Sequence, residues 1–424
     1  MYQALYRKYR SQTFGQLVGQ QVVARTLRQA VEQDKISHAY LFSGPRGTGK
    51  TSVAKIFAKA MNCPNQVNGE PCNDCYICES ITNGSLEDVI EIDAASNNGV
   101  DEIRDIRDKS TYAPSLAKHK VYIIDEVHML STGAFNALLK TLEEPTENVV
   151  FILATTELHK IPATILSRVQ RFEFKSIKLP DIVQHLENIL ATEGIAYEAD
   201  AVQIIARRAE GGMRDALSIL DQALSLTAGS ELTTAIAEEI TGSISLAALD
   251  QYVAAILNHD STAALDQLAI IFDNGKNMAR FVTDLLQYLR DLLIVQTGGE
   301  NTHASDLFAA NLAADQARLF ALIDQATTSL ADIKNSLQPR IYTEMMTIKL
   351  AESRAQAANS AVVELPSNVM TQLEDLKKEV AQLKQQLAQA GASLPASKPP
   401  VTRPTKSSKG YRADRNKVNA ILQE

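Results

Sequence analysis

Eight consecutive residues, Gly44-Pro45-Arg46-Gly47-Thr48-Gly49-Lys50-Thr51, fit the pattern G-x-x-x-x-G-K-[ST]. They follow a short apolar run, Ala39-Tyr40-Leu41-Phe42-Ser43, and lead into residues 51–60, where apolar side chains recur at helical spacing. Glycines let backbone N–H groups turn inward around phosphate oxygens, and a helix N-terminus adds its positive end. At this spacing Lys50 reaches the β- and γ-phosphates, and the Thr51 hydroxyl ligates Mg²⁺. A second group lies in Val121-Tyr122-Ile123-Ile124-Asp125-Glu126. Its apolar residues bury a strand and leave Asp125 at the carboxyl end to hold Mg²⁺, with Glu126 placed to orient or deprotonate a water. Acid pairs at strand ends also cap helices. Here, on the same inferred sheet as Lys50, the pair completes a site for nucleoside triphosphate hydrolysis.

Cys63, Cys72, Cys75 and Cys78 form a third constellation, C-x8-C-x2-C-x2-C. Four thiolates at this spacing suit tetrahedral Zn²⁺, closed on all sides and therefore structural. Such a site contributes on the order of 10 kcal/mol to folding its own module, here residues 61–80. A redox C-x-x-C would leave two cysteines unexplained, and nothing else in the chain suggests the electron transfer of an iron–sulfur cluster. Two arginines stand apart. Arg168, in Ser167-Arg168-Val169, reads as an ordinary surface charge. Arg214 follows Gly211-Gly212-Met213 near the start of a helix, where a cation gains nothing from the macrodipole and an anionic partner would account for it.

The elements that must position these groups alternate over the first ~175 residues. Val89-Ile90-Glu91-Ile92 and Val149-Val150-Phe151-Ile152-Leu153 join the two runs above as buried strands separated by helices. That pattern implies a parallel sheet covered on both faces, with ligands at the carboxyl ends of its strands. From Leu179 strand signals vanish, and helical periodicity with breakers at Gly194, Gly211, Gly229 and Gly242 runs to about residue 357. The division is an α/β domain over 1–178 with the cysteine module inserted, a helical bundle over 179–242 and a longer all-α domain over 243–360. Val369, Leu373, Leu376, Val380, Leu383 and Leu387 then form a heptad seam within 366–390, either a coiled coil or one amphipathic helix packed on its own protein. Residues 391–410 read as a Pro/Ser/Lys-rich linker. Residues 411–424 read as the beginning of a further, shortened C-terminal region.

Composition agrees with roughly three globular domains: 424 residues, 45% hydrophobic, 22% charged. Net charge is −8, but residues 1–60 hold ten Lys/Arg against two acids, and residues 391–424 seven against two. That segregation permits local binding of phosphate-rich partners in a chain otherwise too acidic for indiscriminate nucleic-acid binding. No apolar run is long enough to span a membrane and no signal segment opens the chain, so an intracellular protein is expected.

These residues, taken in order, resemble the AAA+ clamp-loader ATPases. The likeness is carried by Tyr6-Arg7-Lys8-Tyr9-Arg10-Ser11-Gln12-Thr13-Phe14, Val18-Gly19-Gln20, the loop at Gly44 and the four-cysteine insert. It continues through Glu91-Ile92-Asp93-Ala94-Ala95-Ser96, Ile124-Asp125-Glu126-Val127-His128-Met129-Leu130-Ser131, Leu138-Leu139-Lys140-Thr141-Leu142-Glu143-Glu144-Pro145, Ala154-Thr155-Thr156, Ile165-Leu166-Ser167-Arg168 and Arg214-Asp215-Ala216-Leu217. It is clear over residues 1–240 and thinner to about 360.

The resemblance implies an AAA+ RecA-like domain, a helical lid and a helical collar. ATP would be bound by Arg7, Tyr9, Arg10, Val18, Gly44 to Ser52 and Arg214, and hydrolysed with Lys50, Asp125 and Glu126. Thr155 would be the sensor of the γ-phosphate, with Thr156 the adjacent alternative. Arg168 would be an arginine finger acting on ATP held by a neighbouring subunit. Where relatives show Ser-Arg-Cys, this chain has Val169. Where relatives carry basic residues after Asp-Ala-Ala-Ser, it has Asn97-Asn98-Gly99, so DNA contact would rest on Asn97, Arg104 and Lys140, the last two equally readable as solvated charges. Implied partners are sister loader subunits (delta and delta-prime types and further copies of this chain), a sliding clamp and primed DNA. Polymerase and helicase would be reached through a C-terminal region, in the bacterial cytoplasm at the replication fork. Two alternatives stand: a catalytically silent scaffold, opposed by the intact Lys50, Thr51, Asp125 and Glu126, and a DNA translocase, opposed by the lack of a second α/β lobe after residue ~180.

Overall fold

The computed structural model of the chain describes residues 3–227, 231–299 and 305–353. They fall within one compact unit. The heptad, the linker, the C-terminal stretch and Gly229 lie outside the described residues.

Five strands form the sheet: β1 (Ala39–Ser43), β2 (Val89–Asp93), β3 (Lys120–Asp125), β4 (Val149–Thr155) and β5 (Gln170–Glu173). They run parallel in the order β2-β3-β4-β1-β5. The register sets Ser43 beside Thr155 and Asp93 beside Asp125, so the carboxyl ends of the strands make one rim. The sequence anticipates the first four strands, but β2, expected to be buried, lies at the sheet edge with all five residues half-buried or exposed. The sequence does not anticipate β5, because at the opposite sheet edge only Phe172 of Gln-Arg-Phe-Glu is buried.

Strand alternation divides the core between two faces. Tyr40 and Phe42 of β1 pack with Leu27 and with Val53 and Phe57, beneath the helices Gln21–Glu32 and Lys50–Asn62. Ala39 and Leu41 face the other way, with Tyr122, Phe151, Ile103 and Leu138, beneath the helices Val100–Lys109 and Thr132–Glu143. Each large apolar side chain fully buried this way contributes about 1.5–3 kcal/mol, which sets the rim's geometry firmly.

Beyond β5 every element among the described residues is helical. Leu186, Ile205, Leu217 and Leu220 make one core, which also takes in Leu5 from the N-terminal segment. Tyr252, Phe281, Leu289, Phe308, Leu322 and Leu350 make another. The fold is thus a P-loop α/β domain followed by a helical lid and a helical collar. No single helix among the described residues is long and apolar enough to cross a membrane.

Candidate active site

The loop after β1 turns through residues that only glycine suits: Gly44, Gly47 and Gly49 have φ of 145°, 75° and 98°. A Cβ on Gly44 would stand 2.1 Å from the Phe174 carbonyl oxygen, and one on Gly47 would stand 3.0 Å from the Gly212 Cα. Neighbouring strand and lid therefore close directly on the loop's backbone. Within it, the Thr48 hydroxyl donates to the Pro45 carbonyl (2.8 Å). The buried Lys50 ammonium donates to the carbonyls of Gly44 and Pro45, each at 2.9 Å. Burial lowers the Lys50 pKa, opposed by the nearby charges of Glu126 and Asp125.

Loop and strand end meet where the Thr51 hydroxyl donates to Asp125 Oδ2 at 2.6 Å. A hydroxyl and a carboxylate at that separation, above the N-terminus of the helix Lys50–Asn62, are a suitable pair for Mg²⁺ beside phosphate. Asp125 Oδ1 accepts from the Glu126 N–H (2.9 Å). Glu126 itself adopts φ 46°, ψ 44°, a left-handed conformation uncommon outside glycine. The two threonines ending β4 have different partners. Thr156 donates from its hydroxyl to Glu126 Oε2 (3.0 Å), whereas the buried Thr155 hydroxyl lies 3.0 Å from His128 Nδ1 and accepts from the Glu157 N–H. His128, within 3.4 Å of both Glu126 and Glu157, is a member of this cluster that sequence reasoning passed over. Its place directly after Asp125-Glu126-Val127 was the available signal.

The N-terminal segment and the lid flank the loop. Arg10 Nε donates to Ser52 Oγ at 2.9 Å. Burial lowers the Arg10 pKa, with Arg214 adding repulsion while Glu91 and Asp125 oppose it. Arg214 lies over the Tyr6 ring, 5.5 Å from its centroid, and Arg7 over the same ring at 5.7 Å. Tyr9 donates to Glu193 of the lid, and Val18 packs against the lid core. Pro45 and Arg46 are exposed on the outer turn of the loop. Arg168 is elsewhere: one Nη holds Glu143 at 2.6 Å, and the other donates to the Thr164 carbonyl. Asn97, Arg104 and Lys140 are exposed; Asn97 donates to the Asp93 carbonyl and Arg104 pairs with Asp101.

The four cysteine sulfurs lie within 4.8 Å of one another, with Cys63–Cys72 at 3.4 Å, Cys63–Cys75 at 3.9 Å and Cys72–Cys78 at 4.0 Å. A tetrahedron of Zn–S bonds of ~2.3 Å needs sulfurs about 3.8 Å apart, so the donor set fits zinc. Burial pushes the Cys72 thiol up to about 11 and Cys78 higher, so a bound cation would have to displace their protons.

Loop, strand-end acids and lid arginine together define a P-loop ATPase of the AAA+ class. Three family models match in sequence: the DNA polymerase III delta subunit over residues 19–178, the ATPase lid domain of the DNA polymerase III clamp loader subunit over 181–229, and domain III of DNA polymerase III subunits gamma and tau over 232–365. The chain is 46% identical to DNA polymerase III subunit tau of Bacillus subtilis, across all of this chain and 76% of that one. It is 37% identical to the gamma/tau subunit of Mycobacterium tuberculosis, across 88% of this chain and 66% of that one. With subunit tau of Escherichia coli it shares 51% identity across 55% of this chain and 36% of that one. The chain belongs to the DNA polymerase III gamma/tau family of clamp-loader ATPase subunits. Among solved structures, Thermotoga maritima RuvB is similar over 72% of this chain and 90% of that one, at 17% identity and a TM-score of 0.42.

Proposed function

We propose that the chain is the ATP-driven motor of a replicative clamp loader and acts in the cytoplasm at the replication fork. ATP·Mg²⁺ sits on the loop Gly44–Thr51, with Lys50 on the β- and γ-phosphates. Thr51 and Asp125 serve the metal, Glu126 serves the attacking water, and Arg10 and Arg214 approach from the flanks. Zinc occupies the four-cysteine module as a structural ion. The observation that carries this reading is the 2.6 Å bond between Thr51 and Asp125, which joins the loop and the strand end into one site.

Arg168 completes the ATP site of a neighbouring subunit. Its pairing with Glu143 is partly solvent-exposed, at 33% and 49% of the side chains, and such pairs are worth at most ~1 kcal/mol. That is weak enough for the guanidinium to leave for a triphosphate. Hydrolysis therefore depends on assembly with delta-type subunits and further copies of this chain. The bound assembly opens a sliding clamp and encloses primed DNA, gripped by its phosphates without regard to sequence, with Asn97, Arg104 and Lys140 on the contacting side. Hydrolysis then releases the closed clamp. Polymerase and helicase are further partners, reached through the C-terminal region.

The test is a pair of variants in the reconstituted assembly. Lys50→Ala abolishes ATP binding by the chain. Arg168→Ala leaves ATP affinity within about twofold and lowers turnover by roughly 10³-fold, the lower end of arginine-finger effects. Wild-type affinity in Lys50→Ala, or undiminished turnover in Arg168→Ala, would contradict the assignment.

A further inference from the structure

The four-cysteine module does not stand apart from the nucleotide site; it grips the N-terminal segment that supplies Arg10. Two residues between its cysteines do so. Glu70 accepts the backbone N–H groups of Phe14 (2.8 Å) and Gly15 (3.0 Å) on its two oxygens. Asn73, in a left-handed turn, accepts from the ammonium of Lys59 at 2.6 Å, and the same ammonium donates to Gln12 Oε1 at 2.7 Å. Gln12 in turn donates to the Arg10 carbonyl (3.0 Å), and Arg10 reaches Ser52 in the first turn of the P-loop helix. The module also lies close against the helix Gln21–Glu32: a Cβ on Gly69 would stand 2.4 Å from the Arg28 carbonyl oxygen.

Lys59 makes this link electrostatically demanding. It is 2% exposed, and both of its hydrogen-bond acceptors are neutral amide oxygens. Arg10 and Lys55 lie near it as like charges, and the nearby groups that would carry the opposite charge once ionised are the thiols of Cys78 and Cys72. A buried ammonium is costly unless an opposite charge faces it. Four thiolates around one Zn²⁺ leave a net negative centre that supplies that charge, whereas four protonated thiols supply none.

We propose that the cysteine module is a clasp on the N-terminal segment, with Lys59, Glu70 and Asn73 as positioning residues for Arg10, so that zinc in the module and nucleotide on the P-loop strengthen each other's binding. The proposal rests on the reading of the P-loop as an ATP site and of the cysteines as a zinc site. Because coupling between two sites is reciprocal, it is measurable from the zinc side with no turnover at all.

The experiment follows zinc release from the full chain to a zinc-selective chelator, with and without a saturating, non-hydrolysable ATP analogue and Mg²⁺. Binding of the analogue and the starting zinc content are measured in parallel. The expected result is release slowed roughly fivefold or more by the analogue, the lower end of ordinary site–site coupling. In the double variant Gln12→Ala, Glu70→Gln, which alters neither a cysteine nor the loop, that slowing disappears and the analogue binds more weakly by a similar factor. A wild-type chain that holds zinc and binds the analogue, yet releases zinc at the same rate in both conditions, would overturn the coupling while leaving the two sites standing. Full slowing in a folded double variant would overturn the proposed route. A wild-type chain that binds no analogue or holds no zinc would overturn the functional reading and the coupling together.

Discussion

Glu126 and Thr156 show what individual residues contribute beyond their motif. The left-handed backbone of Glu126 is an uncommon conformation for a side chain of that size, and the Thr156 hydroxyl holds its carboxylate at 3.0 Å. A hydrogen bond to a charged group is worth about 1.5–3 kcal/mol, so freeing the carboxylate is expected to lower turnover by roughly tenfold or more if the bond persists as the water attacks. Thr156→Ala is expected to lose turnover in the assembled complex with ATP affinity unchanged. Thr155→Ala acts differently: Thr155 is wholly buried and serves His128 and the Glu157 N–H, so its loss is expected to cost thermal stability as well. Measuring turnover and melting temperature for both variants separates the roles. A Thr156→Ala enzyme as fast as wild type would show that the bond breaks before the chemical step. The family resemblance points to Thr155 as the sensor with Thr156 as the adjacent alternative; it is the Thr156 hydroxyl that faces Glu126, a distinction that depends on where the strand ends and how Glu126 turns.

At the scale of elements, the strands with continuous apolar runs and the glycine loop were legible in the residues, as was the all-helical character after 179. The rest turned on contacts between distant segments. β5 carries one buried residue, so no periodicity marks it, and the grip of Glu70 and Asn73 on residues 12–15 has no sequence signature. Asp88 is a similar case. Just ahead of β2 and buried, it accepts the backbone N–H groups of Ser115, Leu116 and Ala117 and so closes the loop leading into β3. Burial by itself would raise its pKa, but these three donors, with the nearby charge of Lys120, outweigh burial and hold the carboxyl below the ordinary value of 3.8. A depressed carboxylate stabilises the fold above the ordinary value, and that stabilisation is lost as pH falls through the folded value. Asp88→Asn is therefore expected to lose about 1.5–3 kcal/mol at pH 7 by urea denaturation, with the gap to wild type shrinking under acid conditions below 3.8. An equal gap in acid and at neutrality would mean that the charge is not the source.

For the whole molecule, the separation of Arg168 from the chain's own loop matters most. Lys50, Thr51, Asp125, Glu126 and Arg214 gather around one loop, while Arg168 is held by Glu143 and Thr164 on another part of the domain. On the function proposed above, a single chain would carry the ATP-holding half of one site and the arginine of another; two separate helical cores extend beyond the α/β domain. Such a molecule is expected to turn over slowly alone and to respond to whatever sets its neighbours in register. The most direct measurement is ATP hydrolysis by the chain assembled with its sister subunits, with sliding clamp and primed DNA added singly and together and blunt duplex as the control. Clamp plus primed junction is expected to stimulate turnover synergistically, by more than the sum of the two separate effects. Equal stimulation by any DNA regardless of clamp, or no turnover in a complete assembly, would contradict the proposed function.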